Sequence, residues 1–322
     1  MNKINKLFVL IALASTTALA HAQAGYPTRT VRLIVPSSPG GGTDISARIL
    51  APQLTQFLGQ QVIVENRPGA GTMIGGEAVV RAAPDGYTLL MGISTLAINP
   101  AMYKKVPYDA LKDLAPISQA VALSNVLTIH PSLPSRNLKD FIAFARARPG
   151  QINFASAGLG TSPHLSMELF LVLAGLNMVH VPYKGSGPGV TDLLAGHVPV
   201  MMPNMLSAQP HIKSGRLRAL GVTGTKRAPG ADDIPTIAEA GVPGYEAVQW
   251  YGVLAPAATP RDIITRLHTG IVRAMQNPEV RQRLLNDGAE PVGSSPEQFS
   301  AYLRSETEKW AKVIKAAGIK PE

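Results

Sequence analysis

Apolar and polar positions along this chain follow two periods, and the periods take turns. Thr30 to Val35 is a short β-branched run closed by Pro36, the mark of a strand. Ser37, Ser38, Pro39, Gly40, Gly41 and Gly42 read as a loop. Thr43 and Asp44 are helix-starting types, and Ile45, Ile49, Leu50, Leu54 and Leu58 then recur at helical spacing until Gly59 stops them. Gln61 to Glu65 predicts a strand, Asn66 to Gly76 a glycine-rich turn, and Glu77 to Ala83 a helix. Pro84-Asp85-Gly86 is a turn ahead of a strand at Tyr87 to Met91. The middle of the chain repeats the scheme. A strand at Gln151 to Ala155 leads through the loop Ser156 to Thr161 to a helix opened by Ser162 and Pro163 and striped by Leu165, Leu169, Val172 and Leu173. Met178 to Val181 is a strand, Gly185 to Gly189 a loop, Val190 to Ala195 a helix, and Leu217 to Val222 a further strand.

Strands alternating with helices predict α/β architecture, with sheets covered by helices. Ile117 to Ile129 is long, apolar and weakly punctuated, as expected of a strand crossing between two lobes, and Leu217 to Thr223 is expected to carry the chain back. The helical pattern after Pro260 is assigned to the first lobe. The expected division is 25–122 with 224–322 as lobe one and 123–223 as lobe two.

The first 24 residues form a separate object. Lys3 and Lys6 precede an uncharged apolar run from Leu7 to Leu13, and small residues follow up to Ala24. This is the pattern of a secretory signal peptide, with cleavage expected after Ala22 or Ala24 and a periplasmic destination for the mature chain. With Cys 0 the chain has no disulfide framework, thiolate chemistry or cysteine metal site. The formal charge of +9 falls to +7 once Lys3 and Lys6 are removed, which mildly favours anions. The basic residues are scattered and aromatics are few, at 5%, so nucleic acid is not an expected partner.

Three strand–glycine–helix junctions stand out: Gly40 to Asp44, Gly158 to Ser162 and Gly185 to Gly189. Unpaired backbone N–H groups and the positive end of the helix dipole suit such junctions to an anion, and glycine lets the anion approach. Each is also explained as turn geometry alone. Nucleotide and nucleophile motifs fail. Ile45 takes the place of the third glycine after Gly40-x-Gly42, and Phe154-Ala155-Ser156-Ala157-Gly158 lacks the first glycine of a nucleophile elbow. No histidine spacing marks a metal, so no catalytic residue, cofactor or metal is expected and the chain reads as a non-enzyme. Asp44 reads as a ligand contact or as a first-turn carboxylate on the helix dipole. His164 reads as a ligand contact or as a brace for the neighbouring loop, and Trp250 and Tyr251 as cleft or core. Neither 37–44 nor 156–164 contains Lys or Arg. Any anion there must meet backbone N–H groups, water and the Thr43, Ser156 and Thr161 hydroxyls, with Gly41 as the expected point of backbone approach.

Five stretches in collinear order carry a family resemblance. They are Pro36-Ser37-Ser38-Pro39-Gly40-Gly41-Gly42-Thr43-Asp44, Val64 to Gly71 (VENRPGAG), Ala83 to Leu90 (APDGYTLL), His180 to Pro188 (HVPYKGSGP) and Pro235 to Gly241 (PTIAEAG). The chain resembles the tripartite tricarboxylate transporter substrate-binding family, also called Bug proteins. The resemblance implies two α/β lobes of the type II periplasmic binding class with ligand in the interlobe cleft. It implies a small di- or tricarboxylate, acidic amino acid or aromatic carboxylate as ligand, and a membrane permease of one large and one small subunit as partner to a monomeric receptor. A ligand-sensing receptor subunit for a membrane signalling partner is the alternative. The residues implied at the site are Ser37, Gly40, Gly41, Gly42, Thr43 and Asp44 on the first loop, and Ser156, Gly158, Gly160, Thr161 and His164 on the second. Ser94 and Thr95 follow a neighbouring strand, and Tyr183 and Asn204 complete the set. Ser37-Ser38 and Met201-Met202-Pro203-Asn204 depart from the family pattern near the pocket, which leaves the identity of the carboxylate open.

Overall fold

The strands of the first half are apolar at successive positions because both faces of their sheet are covered. In the computed structural model, which describes residues 25–316, β1 (Val31–Val35), β2 (Val62–Asn66) and β3 (Thr88–Ile93) pair in parallel. Between them run α1 (Gly42–Leu58) and α2 (Met73–Val80), and α3 (Thr95–Met102) follows. β4 (Leu114–Ser124) then leads to β5 (Val126–Ile129) in a second sheet. That sheet is completed by β6 (Asn153–Ser156), β7 (Val179–Pro182), β8 (Val200–Met201) and β9 (Arg218–Val222). Its helices are α4 (Leu138–Arg146), α5 (Ser162–Ala174), α6 (Ser186–Ala195) and α7 (Met205–Lys213). The chain returns through β10 (Val248–Pro256), α8 (Arg261–Gln276), α9 (Pro278–Asn286), β11 (Ala289–Pro291) and α10 (Pro296–Ala316).

The first sheet is six-stranded, in the order β11-β4-β10-β3-β1-β2, and the second is five-stranded, in the order β7-β6-β8-β5-β9. Side chains alternate across each strand. Leu33, Leu89, Met91 and Val253 meet Leu50 and Leu54 of α1 and Leu267 and Ile271 of α8 on one face. Ile34, Leu90, Trp250 and Leu254 meet α2, α3 and α10 on the other. In the second sheet, Leu127, Phe154 and Val200 pack on Phe141 of α4 and Phe170 of α5. The result is two α/β lobes, each with its own core.

Three local expectations give way. The helix expected at 77–83 begins at Met73, because Gly75 and Gly76 belong inside it. A Cβ at Gly75 would lie 2.8 Å from Pro36 Cα, and one at Gly76 would strike the Tyr108 ring, so the helix trades propensity for close packing. The expected crossing strand at 117–129 is two strands with Asn125 between them. Leu217 to Thr223 does not carry the chain back. β9 stays in the second sheet, and Ile237, Val242, Tyr245 and Ala247 add to the second lobe's core, so the stretch 224–247, expected with lobe one, packs with lobe two. The return comes at β10, where Val248 pairs with Ser124, so both crossings lie side by side. Asn125 and Thr223 tie them: Thr223 N–H donates to Asn125 O at 2.9 Å, Asn125 N–H to Thr223 Oγ1 at 2.8 Å, and Ala247 N–H to Thr223 O at 2.9 Å.

Trp250 joins the returning strand to α10, edge-on to Phe299 at 5.3 Å and Tyr302 at 6.1 Å, and is fully buried. Trp250→Ala is expected to destabilise the first lobe by about 3–5 kcal/mol, read as a lower denaturant midpoint by tryptophan-independent circular dichroism.

Candidate functional site

Each lobe sends strand-to-helix loops into the space between the lobes. Pro36 ends β1, and Gly40, at φ +80, turns the chain into α1. Asp44 in the first turn of α1 reaches back to accept the Gly40 N–H at 3.0 Å, and also accepts from Arg48 Nε and Asn66 Nδ2 at 3.0 Å. Asn66 Nδ2 in turn holds the Ser37 carbonyl at 2.9 Å. Burial pushes the Asp44 carboxyl up, but hydrogen bonds from Arg48, Gly40 and Asn66 outweigh it and hold it below its ordinary value.

A second turn from the first lobe, Gly69 to Thr72, also borders this space. Ala70 at φ 46 and Thr72 at φ 77 are left-handed without being glycine, a strain held in place by Thr72 Oγ1 against Thr95 Oγ1 at 2.5 Å and Asn99 Nδ2 on the Gly71 carbonyl at 3.0 Å.

From the second lobe, the loop between β6 and α5 is braced by imidazoles. Ser156 Oγ accepts the Gly158 N–H at 3.0 Å and meets His180 Nε2 at 2.6 Å, while His164 Nδ1 accepts the Gly160 N–H at 3.2 Å. The two rings stack 4.2 Å apart, with Phe154 on the far side of His180. Burial, and then the neighbouring His180, push His164 down to about 3, and burial pushes His180 down to about 4, so both are neutral and His164 keeps its acceptor lone pair. The loop between β7 and α6 turns at Gly185, at φ +137.

These loops enclose a cavity of about 90 Å³. α1, α5 and α6 all begin on its wall, at Gly41 to Thr43, Thr161 to Pro163 and Gly185 to Ser186, and none has a side-chain cap. Their orphan N–H groups and three positive dipole ends therefore converge. Asn204, which caps α7, and Gln249 and Tyr251 of β10 complete the wall. Among the described residues lining the cavity there is no Asp or Glu, and Lys184 is the one cationic type.

Residues 46–319 match the tripartite tricarboxylate transporter family receptor. The chain belongs to that family. Three solved structures are similar to it. R. palustris Rpa4515 with adipate is 38% identical at TM-score 0.90, covering 92% of this chain and 100% of that one. Periplasmic binding protein BugD is 33% identical at TM-score 0.90, covering 92% and 100%. MatC (Rpa3494) from Rhodopseudomonas palustris with bound malate is 31% identical at TM-score 0.84, covering 90% and 100%. Family and neighbours are substrate-binding receptors, and the two-lobed fold is shared. The expected signal peptide lies outside the described residues, and among those described no helix is long and apolar enough to cross a membrane.

In this receptor the cavity gathers Ser37, Gly41, Gly42, Thr43, Gly158, Thr161, Tyr183 and Asn204 of the residues named from sequence. Gly40, Asp44, Ser94, Thr95, Ser156, Gly160 and His164 stand behind the wall: Asp44, Ser156 and His164 brace loops, Thr95 holds Thr72, and Gly160 packs near Met102. Two of the three hydroxyls expected to meet an anion are already engaged: Ser156 as above, and Thr161 donating to Gly158 O at 2.6 Å. Tyr183 donates to Asp192 at 2.6 Å, and burial and then this bond push its phenol up to about 12. The protein itself packs tightly against backbone at Gly42. A Cβ at Gly42 would strike Asn204 Oδ1 and lie 2.6 Å from the Tyr251 hydroxyl, whereas one at Gly41 finds Ser186 at an ordinary 3.6 Å.

Sequence reasoning left out the Gly69 to Thr72 turn, Lys184 and Gln249; it named the Gly185 to Gly189 junction without carrying it into the site, and left Tyr251 between cleft and core. Lys184 adjoins that junction, and Gln249 is a polar residue in an otherwise apolar strand, so both carried a signal. The Gly69 turn carried none beyond its glycines.

The two lobes touch over the cavity through backbone. Ser38 N–H and Oγ–H both donate to the Lys184 carbonyl, the former at 3.2 Å, and a Cβ at Gly187 would collide with the Pro39 carbonyl oxygen. Gly187 is off the cavity wall and has no left-handed φ, so alanine suits its helix but obstructs this contact. Gly187→Ala is expected to hold the lobes apart. A tenfold smaller closed fraction weakens apparent affinity by about tenfold, measured by calorimetry, with the ligand-induced fall in radius of gyration lost by X-ray scattering. Wild-type affinity with unchanged compaction would show that this contact does not limit closure.

Asp44 contributes stability that is present at neutral pH and is lost as pH falls through its depressed folded pKa. Asp44→Asn is expected to cost about 1–3 kcal/mol at pH 7, with the gap to the parent narrowing as the acid limb is approached in urea titrations.

Proposed function

We propose that this receptor works in the periplasm, captures a small dicarboxylate between its lobes and hands it to a membrane permease of one large and one small subunit. The observation that carries the reading is the meeting of three uncapped helix N-termini in a cavity whose described lining has no acid. A carboxylate supplies the acceptors those N–H groups require. Hydrogen bonds to a charged group contribute about 1.5–3 kcal/mol each, and a helix terminus adds about 0.3–2 kcal/mol. Gly41 to Thr43, Gly158, Thr161, Gly185 and Ser186 are the proposed contacts, with Lys184 adding positive charge at the wall. Adipate and malate in two similar structures support a linear dicarboxylate. The pattern of the first 24 residues supports export, and the Ser38–Lys184 contact supports capture by lobe closure.

Ser156 and His180 have the spacing of a nucleophile and its base, yet Ser156 is fully buried behind the wall and its oxygen holds the Gly158 N–H. The pair serves loop geometry, and the proposed receptor leaves its ligand chemically unchanged.

Thermal shift and calorimetry against linear C4 to C6 dicarboxylates test the reading. Ligand at 100 times its Kd stabilises by about 2.7 kcal/mol. At least one diacid should do so while its dimethyl ester does not, and NMR of the bound acid should show no product. Equal binding of the ester, or turnover above a protein-free control, would overturn it.

A further inference from the structure

One side chain behind the cavity wall touches wall-forming loops of both lobes. Tyr103, half-buried at the end of α3, donates its hydroxyl to the Leu159 carbonyl at 3.3 Å. Leu159 belongs to the loop between β6 and α5, so this bond crosses from the first lobe to the second. Apolar packing runs beside it. Leu159 and the buried Leu165 of α5 join the first lobe's cluster with Leu96, Met102 and Tyr103. Met102 and Tyr103 also lie over Gly160, where a Cβ would stand 3.5 Å from Met102 and 3.6 Å from the Tyr103 ring.

The same ring bears on the first lobe's own wall. Thr95, Asn99 and Tyr103 follow one another at a spacing of four, which continues one face of α3 to its end. Thr95 meets Thr72, Asn99 holds the Gly71 carbonyl, and Tyr103 stands against Gly71 itself. A Cβ on Gly71 would lie 2.6 Å from the Tyr103 hydroxyl oxygen and 3.1 Å from Cζ. Ala70, Gly71 and Thr72 are consecutive left-handed residues, at φ 46, 58 and 77. Such backbone persists only where its surroundings over-determine it. Two of these supports lie wholly within the first lobe. The third is a ring whose hydroxyl is held by a carbonyl of the second lobe. When the lobes part, Leu159 leaves and the ring loses its hold over Gly71 from that side.

We propose that Tyr103 is a positioning residue that couples lobe closure to the Gly69 to Thr72 turn, so that this part of the cavity wall is fixed only when Leu159 holds the Tyr103 hydroxyl. Closure then orders the turn, and by reciprocity a ligand that orders the turn favours closure. The coupling governs release more than capture, because the contact forms after a ligand has entered the open cleft. Its effect on a bound acid rests on the carboxylate-receptor reading above, whereas the coupling between the two loops does not.

The experiment compares Tyr103→Phe, which keeps the ring and removes the donor, with the parent in the full mature chain. Hydrogen exchange by mass spectrometry reads two segments. Residues 69–73 include the Thr72 N–H bonded to Gly69 O, and residues 157–162 include the Thr161 N–H bonded to Gly158 O and the Gly160 N–H on His164. Exchange in both segments should rise about three- to tenfold, the worth of one neutral hydrogen bond, while β10 and α8 are unchanged. Stopped-flow binding uses whichever of succinate, glutarate and adipate the parent binds tightest. Dissociation should quicken by about three- to tenfold and association should stay within about twofold. Tyr103→Leu, which suits the apolar seam and has no donor, should behave alike and serves if the phenylalanine variant fails to fold. Exchange unchanged in both segments, raised in one segment alone, or raised throughout both lobes would each overturn the coupling, as would an unchanged dissociation rate. If none of the diacids binds, the carboxylate reading falls and the exchange measurement still decides this one.

Discussion

The first turn of a helix carries N–H groups that have no partner within the helix, and a helix with no capping side chain must find that partner outside itself. α1, α5 and α6 all begin this way, and all begin on the wall of one cavity. Much of the rest of the fold exists to bring those three ends together. Parallel strands deliver their following helices to the same edge of a sheet, and helix starts from both lobes line one cavity. By contrast α4 and α7, which begin with Asn137 and Asn204, have side-chain caps.

Holding unpaired donors in place requires loops that do not collapse onto them. The braces are therefore placed behind the loops. Asp44 takes the Gly40 N–H, Ser156 the Gly158 N–H and His164 the Gly160 N–H, all from residues that do not line the cavity. The neutral state of the two imidazoles is part of this arrangement, since a protonated Nδ1 on His164 has no lone pair for Gly160. Ala70 and Thr72 hold left-handed backbone on the opposite wall through the Thr72–Thr95 and Asn99–Gly71 bonds. Polar side chains here mostly shape backbone, and the backbone is left to meet the anion.

Closure uses the same economy of side chains. Loops 37–41 and 184–187 meet through glycine-rich backbone, so the lobes approach more closely than side chains would permit. The chain crosses between lobes at two adjacent points, Ser124–Asn125 and Ala247–Val248, and Thr223 bonds to Asn125 and Ala247. Two short neighbouring crossings let the lobes move as bodies while each core stays intact.

The sequence by itself determined the α/β class, the two lobes, the strand–loop–helix junctions and the family, because these are set by local periodicity, turn residues and motifs read in order. It named eight residues that line the cavity, all but Tyr183 and Asn204 on the first two loops, since a glycine junction after a strand is a local signal. It did not show that Asn204 and Tyr251, from distant parts of the chain, pack against Gly42. It did not show that Thr161 and Ser156 already have partners, since those partners are chosen by packing. It placed 224–247 with the wrong lobe because apolar residues such as Ile237 and Tyr245 look alike whichever core receives them. Gln249 was visible as a polar residue in an apolar strand. Only the tertiary structure decided that it stands on the cavity wall against Tyr251, since hydrogen-bond partners are three-dimensional neighbours and not sequence neighbours.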